Sequence, residues 1–273
     1  MTSTPFTDPG LVTGPLYATA DRLAQRTGAL HTAKISGEDA AATIADLATR
    51  YALSAPAVCD IGCGRGTTTL ALADRLAPKR LIALDQSKAL LNVVTNRAQR
   101  AGHTVETLCA DFHHLPLPDA TIDVAVAAFC LYHSSHPEHV VAEIARCLAP
   151  SGCAVLVTKS ADSYIEIDQV IAESGLDPEA TSRPSLYASF HGDVAAEITA
   201  TALRVDHVVR QRHAFRFAGM DHLAAYVATS PKYRLPEHLI GDAAELAEEL
   251  RRRIPDEPVT ATSTITYVVA VRP

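Results

Sequence analysis

No Cys-x-x-Cys pair occurs among the six cysteines of this 273-residue chain, which removes a zinc knuckle and a thioredoxin-type redox motif from consideration. No basic stretch precedes an apolar one in "MTSTPFTDPG", so no secretory signal peptide is read there. The longest apolar run, Val124–Tyr132, is far too short to span a bilayer. Positive charge is not in excess either: 24 Lys and Arg stand against 31 Asp and Glu, a formal net charge of −7. Basic and aromatic residues are not interleaved, so no stacking platform for bases is offered. A cytoplasmic protein with neither a nucleic-acid nor a membrane partner is the expectation. Its oligomeric state leaves no mark in the sequence.

What is present has a clear rhythm. Apolar, strand-like runs at Ala57–Ile61, Arg80–Asp85, Thr104–Asp111, Ile122–Cys130 and Cys153–Lys159 alternate with helical patterns. The helices are expected over 38–51, 67–76, 87–101 and 137–148, with Ser87 as an N-cap and Pro137 opening the last. Such alternation is the signature of βαβ units and a parallel sheet. Two further strands are read at 204–217 and 263–272, giving seven. Cys59, Cys109, Cys130 and Cys153 fall in or beside these runs, where free cysteine acts as a small hydrophobe. A helix is expected at 16–27. Residues 1–37 read as an N-terminal cap segment, and 38–273 as one α/β domain with cap insertions at about 160–185 and 218–258. No linker or internal repeat divides the chain.

The stretch "VCDIGCGRG" (Val58–Gly66) ends the first of these strands and leads into a helix, so its amides face whatever ligand lies beyond. Asp85, ending the second strand, is placed to accept from both hydroxyls of a ribose. NAD, FAD and S-adenosylmethionine are all compatible with that much. The dinucleotide fingerprint needs a glycine where Thr67 stands, whereas Gly66 comes one residue early. Asp60 would face a pyrophosphate unfavourably and a cation favourably. No Gly-Lys-Ser/Thr follows, so a Walker loop is excluded.

Over Val58–Thr158 the chain resembles the class I S-adenosylmethionine-dependent methyltransferases, particularly the ubiquinone-biosynthesis-like small-molecule group. The resemblance rests on "VCDIGCGRG", "LIALDQS", "LCADFHHLPLPDATIDVAVAAF" and "VVAEIARCLAPSGCAVLVT" in this order, with Pro150-Ser151-Gly152 where Pro-Gly-Gly is usual. It implies a Rossmann-like, doubly wound, mostly parallel sheet and S-adenosyl-L-methionine as cofactor. It also assigns roles. Gly62, Cys63 and Gly64 would lie under the methionine and ribose portions, and Asp60 would favour the α-ammonium through water. Asp85 would take the ribose hydroxyls, with Gln86 beside the adenine. Asp111 would accept from the adenine amino group, Phe112 would donate its amide or pack on the ring, and Phe129 would offer its backbone to the methionine moiety. The Asn/Asp-Pro-Pro-Tyr motif of the base amino-methylases is replaced by "FCLYH", which implies a small-molecule acceptor.

Methyl transfer from a sulfonium is an in-line displacement in which alignment supplies much of the rate, and a base is needed only for a protonated acceptor. His133, beyond the fourth strand, is the expected base or orienting group, with Tyr132 beside it. The run His133, His136, His139 is interrupted by Pro137 and does not present one face, so no metal is expected. Acceptor-binding candidates are Tyr17 and His31 in the N-terminal segment, near Arg22, Arg26 and Lys34. Tyr187 and His191 follow, then the compact cluster Lys232, Tyr233 and Arg234, suited to a carboxylate or phosphate. A nicotinamide oxidoreductase and a non-catalytic S-adenosylmethionine-binding regulator remain as alternative readings.

Overall fold

Strand and helix alternate from Ala57 to Lys159 as the sequence pattern requires, and the resulting sheet runs on into the later strands. The computed structural model describes every residue except 1–3, 13, 15, 18, 19 and 53. In chain order the elements are α1 (Pro9–Val12), α2 (Ala20–Ala33), β1 (Lys34–Ser36), α3 (Ala40–Thr49), β2 (Ala57–Ile61), α4 (Thr67–Leu76) and β3 (Arg80–Asp85). Then come α5 (Lys88–Arg100), β4 (Glu106–Cys109), β5 (Ile122–Ala128), α6 (Pro137–Cys147) and β6 (Leu148–Lys159). The chain continues through α7 (Ile165–Glu173), α8 (Ala195–Thr199), β7 (Arg204–Phe217), α9 (Met220–Val227), α10 (Ala243–Arg251) and β8 (Val259–Val271).

The described strands form one sheet of order β1-β7-β8-β6-β5-β2-β3-β4. From β6 to β4 every pairing is parallel, whereas β8 runs antiparallel to both β6 and β7. This is the mostly parallel, doubly wound α/β fold expected, with eight strands instead of seven. The additional strand is β1, which pairs antiparallel with the outer edge of β7 through Lys34 opposite Phe215. Three residues carry no readable alternation, so only that pairing reveals them.

Local chemistry sets the helix ends. The Asp39 side chain accepts from the Ala42 amide at 2.8 Å to start α3, and Ser87 Oγ accepts from the Leu90 amide at 3.3 Å to start α5. Pro137 opens α6 at a position whose amide would have no intrahelical partner. The helix expected at 16–27 is displaced: α2 starts at Ala20 and runs to Ala33, while Ala18 and Thr19 lie outside the described residues.

Among the described residues three large apolar cores result, beside a small one of Cys63, Ala83, Leu91 and Val94. One face of the sheet packs Ile44, Leu47 and Leu72 of α3 and α4 over Val58, Val126 and Tyr267. The other face packs Val140 and Ile144 of α6 with Phe6, Leu131 and Phe190. A third core lies where β7 and β8 extend past their neighbours: Phe217 and Ala261 there meet Ile167, Leu223, Val227 and Leu250 of α7, α9 and α10. Ala29 and Ala33 of α2 join this third core. Each large apolar side chain fully buried in this way contributes about 1.5–3 kcal/mol. Among the described residues no helix is long and apolar enough to cross a membrane.

Candidate functional site

The chain leaves β2 toward β3 on one side and returns to β5 on the other, so the carboxyl ends of β2 and β5 diverge into a crevice. The glycine loop and the Phe129–Cys130 corner meet there. Gly62 adopts φ +66°, and a Cβ on it would sit 2.6 Å from the Cys130 Cβ. Only glycine allows the two loops to touch this closely. Gly64, at φ +55°, has an open face, its nearest neighbour being Leu23 of α2 at 3.8 Å. A strip of backbone free of side chains is thereby left beside the crevice.

Asp85 organises this loop. Its Oδ2 accepts from the Gly64 amide and its Oδ1 from the Ser87 amide, both at 2.9 Å. Each oxygen retains a further lone pair for a ligand hydroxyl. Burial raises the Asp85 carboxyl above its ordinary value, although the Ser87 and Gly64 amides oppose that rise. Ser87 Oγ donates to the Tyr17 carbonyl at 2.8 Å, tying the N-terminal segment to the same corner.

A cavity of about 610 Å³, within the usual range for small-molecule sites, opens from this corner. At one end it is bordered by Gly62, Cys63, Gly64, Asp85, Gln86 and Phe112, with Phe129 beyond them. The opposite end is a chamber of rings in which Phe6, Tyr132 and Tyr187 meet, with ring centroids 5.0–6.3 Å apart. Phe129 borders the same cavity at φ +57°, held by its amide to the Val157 carbonyl at 2.8 Å.

His133 does not offer a free ring nitrogen. Nδ1 lies 3.0 Å from the Phe6 carbonyl oxygen, which can only accept, so Nδ1 carries the proton. Nε2 therefore accepts from the Tyr17 hydroxyl, also at 3.0 Å. Burial lowers the His133 pKa to about 4, with the Phe6 contact opposing and nearby Arg26 adding to the fall. The histidine expected as a base is thus neutral and fully engaged at neutral pH. Tyr17 borders the cavity beside it, its phenol raised by burial against the opposing pull of Arg26.

The remaining expected site residues divide. Tyr17, His31, Tyr132 and Tyr187 border the cavity. Asp60 does not: it is 1% exposed behind the loop, accepts from Thr69 Oγ1 at 2.5 Å, and burial raises its carboxyl to about 7. Asp111 sits outside the cavity with its Oδ1 committed to the His113 amide at 2.9 Å and ring Nδ1 at 2.7 Å. His113 in turn reaches Ser134 Oγ at 2.8 Å, but Ser134 is fully buried and so is no nucleophile. Cys63 borders the cavity with its thiol raised by burial, which makes it unreactive. His191 is turned toward Asp193, 3.5 Å away.

The Lys232–Tyr233–Arg234 cluster is not brought to the cavity. Lys232 forms an ion pair with buried Asp168, whose Oδ1 also accepts from the Tyr233 hydroxyl at 2.9 Å. Arg234 is exposed and lies 3.6 Å from Glu179, while its amide donates to Asp177. Acidic partners upstream neutralise the apparent cationic patch. Conversely, Lys159, Tyr164, His213 and Tyr226 border the cavity and were not singled out from the sequence. Lys159 alone carried a signal, a charge ending the apolar run "CAVLVTK" at the carboxyl edge of the sheet. Among the described residues no group of three His, Cys, Asp or Glu side chains converges as a metal site.

Residues 59–156 match the family described as "Methyltransferase domain". The chain is 35% identical over 123 residues to the malonyl-[acyl-carrier protein] O-methyltransferase of a Marinomonas species, covering 45% of this chain and 44% of that protein. It is 32% identical over 117 residues to the uncharacterized methyltransferase YcgJ of Bacillus subtilis, covering 42% and 44%. The chain thus spans less than half the length of these curated relatives. Among solved structures, YcgJ superimposes with a TM-score of 0.57 at 18% identity over 84% of this chain and 97% of its own. The geranyl diphosphate C-methyltransferase of Streptomyces coelicolor, solved with geranyl-S-thiolodiphosphate and S-adenosyl-L-homocysteine, gives 0.50 at 15% identity over 85% and 76%. Residues 59–156 are therefore similar to a methyltransferase domain, and the eight-stranded sheet that holds them shares its fold with these solved structures.

Proposed function

We propose that this protein is an S-adenosylmethionine-dependent methyltransferase acting on a small-molecule acceptor. The carrying observation is the single cavity that joins the Gly62–Gly64–Asp85 corner to the ring-lined chamber. One end has the chemistry for a nucleoside, the other for an apolar body. The relatives named above as methyltransferases support the reaction class, and the S-adenosyl-L-homocysteine in the Streptomyces enzyme supports the cofactor.

The residues present fit that cofactor. Asp85 keeps lone pairs for ribose hydroxyls, the open face of Gly64 admits a ligand against backbone, and Gln86 and Phe112 flank the adenine position. Asp60 acts indirectly, by holding Thr69 and the loop behind the site. When bound, the cofactor supplies an electrophilic methyl group on a positively charged sulfur. The chain's own contribution is alignment: the rings of Phe6, Tyr132 and Tyr187 dehydrate the chamber and fix the acceptor in line. Where the acceptor presents a hydroxyl or amine, the Tyr17 oxygen at the cavity wall can accept its hydrogen bond and orient it, the Tyr17 proton being directed to His133 Nε2. Phe6, Tyr17 and α2, together with Tyr226 of α9, form the cap over this chamber.

Calorimetric titration of the protein with S-adenosylmethionine, S-adenosylhomocysteine and NAD tests this reading. The first two should bind and NAD should not. Binding of NAD alone would overturn it in favour of an oxidoreductase. Binding of the sulfonium pair with no methyl transfer across an acceptor panel would favour a regulatory protein.

A further inference from the structure

Arg26 of α2 and Lys159 at the end of β6 both border the chamber, and among the described residues neither makes an ion pair. Arg26 is only 9% exposed. Its guanidinium donates to the Thr229 carbonyl at 3.2 Å and lies 5.9 Å from the Phe6 ring centroid. The Lys159 ammonium donates to the Tyr164 hydroxyl at 2.9 Å and sits 4.7–5.7 Å from the centroids of Tyr164, Tyr187 and Phe129. Both cations act on the phenol of Tyr187, which stands within reach of each. The carboxylates bordering the same cavity, Asp39 and Asp85, are committed to backbone amides of α3 and of the glycine loop. Nearby, His213 is 1% exposed and its Nε2 has no hydrogen-bond partner.

Two cations held in a ring-lined cavity by phenols, carbonyls and π faces, Arg26 buried and Lys159 partly so, are incompletely solvated, and a charge drawn out of water without a counter-charge is costly. Elsewhere in the cap the chain compensates its partly buried cations: Lys232 has Asp168 and Arg183 has Asp177. Beside the chamber it does not. Building on the methyltransferase reading, we propose that Arg26 and Lys159 receive an oxyanion of the acceptor, a carboxylate or phosphate carried on an aromatic or apolar body. The guanidinium fork suits such an oxyanion, and the Phe6, Tyr132 and Tyr187 rings suit the body.

The test is calorimetry on the full chain, with and without saturating S-adenosylhomocysteine. Cinnamate is compared with cinnamamide, and phenyl phosphate with phenol. At least one anion should bind about tenfold or more tightly than its neutral counterpart, and which one does so separates carboxylate from phosphate. Arg26→Gln and Lys159→Met should each erase most of that preference while S-adenosylhomocysteine affinity stays within about twofold. Lys159→Met guards against a folding failure at Arg26, since its ammonium makes one hydrogen bond. Neutral probes binding as well as the anions, no anion binding at all, or folded variants keeping the preference would each overturn the proposal. Failure of S-adenosylhomocysteine to bind would instead sink the cofactor reading, and the anion arm without it would still decide this one.

Discussion

The Tyr17 hydroxyl donates to His133 Nε2 at 3.0 Å, and the Phe6 carbonyl on the far side of the ring fixes that direction. The histidine is an acceptor clamped between two residues of the N-terminal segment. Tyr17→Phe should therefore reduce turnover by at least about tenfold where the acceptor is protonated, with S-adenosylhomocysteine affinity unchanged. Single-turnover kinetics beside calorimetry reads both. Equal loss of the two would make Tyr17 a structural residue.

His133 also shapes the acid limb of stability. Its folded pKa, about 4, lies below the ordinary value near 6.5. The unfolded chain thus binds the proton first, so stability present above about pH 6.5 is lost as the pH falls toward 4. The loss should be at most on the order of 2–3 kcal/mol, since the ring borders the cavity. Urea unfolding from pH 7 to pH 4.5 should show a steeper decline for the native chain than for His133→Asn. Parallel declines would place the acid sensitivity elsewhere.

Asp85 holds the Gly64 and Ser87 amides while facing the cavity. Asp85→Ala should weaken S-adenosylhomocysteine binding by about 1–3 kcal/mol, the loss expected of a charged acceptor. Unchanged affinity would refute the ribose assignment.

The Gly62 contact predicts a contrast between two glycines. Gly62→Ala adds a clash with Cys130 to a left-handed backbone and should cost about 2–4 kcal/mol. Gly102→Ala, at φ +78° with nothing within 4 Å, should cost only about 1–2 kcal/mol. Denaturation midpoints of the pair decide whether the Cys130 contact matters.

Lys232→Met would strand buried Asp168 and should destabilise the chain by about 3–5 kcal/mol. Were Lys232 an acceptor ligand, the acceptor KM would rise instead while the melting point held.

The half of the site made by contiguous chain was legible. Gly62, Gly64, Asp85 and Phe129 each stand at the carboxyl end of a strand, where a local motif and a topological rule together fix position. The ring-lined half draws on Tyr17, Arg26, Lys159, Tyr187 and Tyr226, which no local pattern links. Lys232 and Arg234 misled because their acidic partners, Asp168 and Glu179, lie about sixty residues upstream. His133 borders the cavity, as its place beyond a strand end implies, but its protonation depends on a carbonyl 127 residues away. Strand β1 escaped notice because its pairing is its only signature.

The position of β8 bears on how the chain assembles. β8 follows every other strand in sequence yet stands between β6 and β7, and β1 joins the sheet only through β7. In the parallel half, β2, β3 and β4 are successive neighbours, as are β5 and β6, and one longer crossover from β4 to β5 joins the two sets. The three remaining strands have no edge to join until β8 has docked. The nucleoside corner belongs to the early half. Arg26 and the third apolar core depend on the late one. Pulse-labelled hydrogen exchange should therefore protect β2, β3 and β5 before β7, making the acceptor chamber the last part of the molecule to become organised.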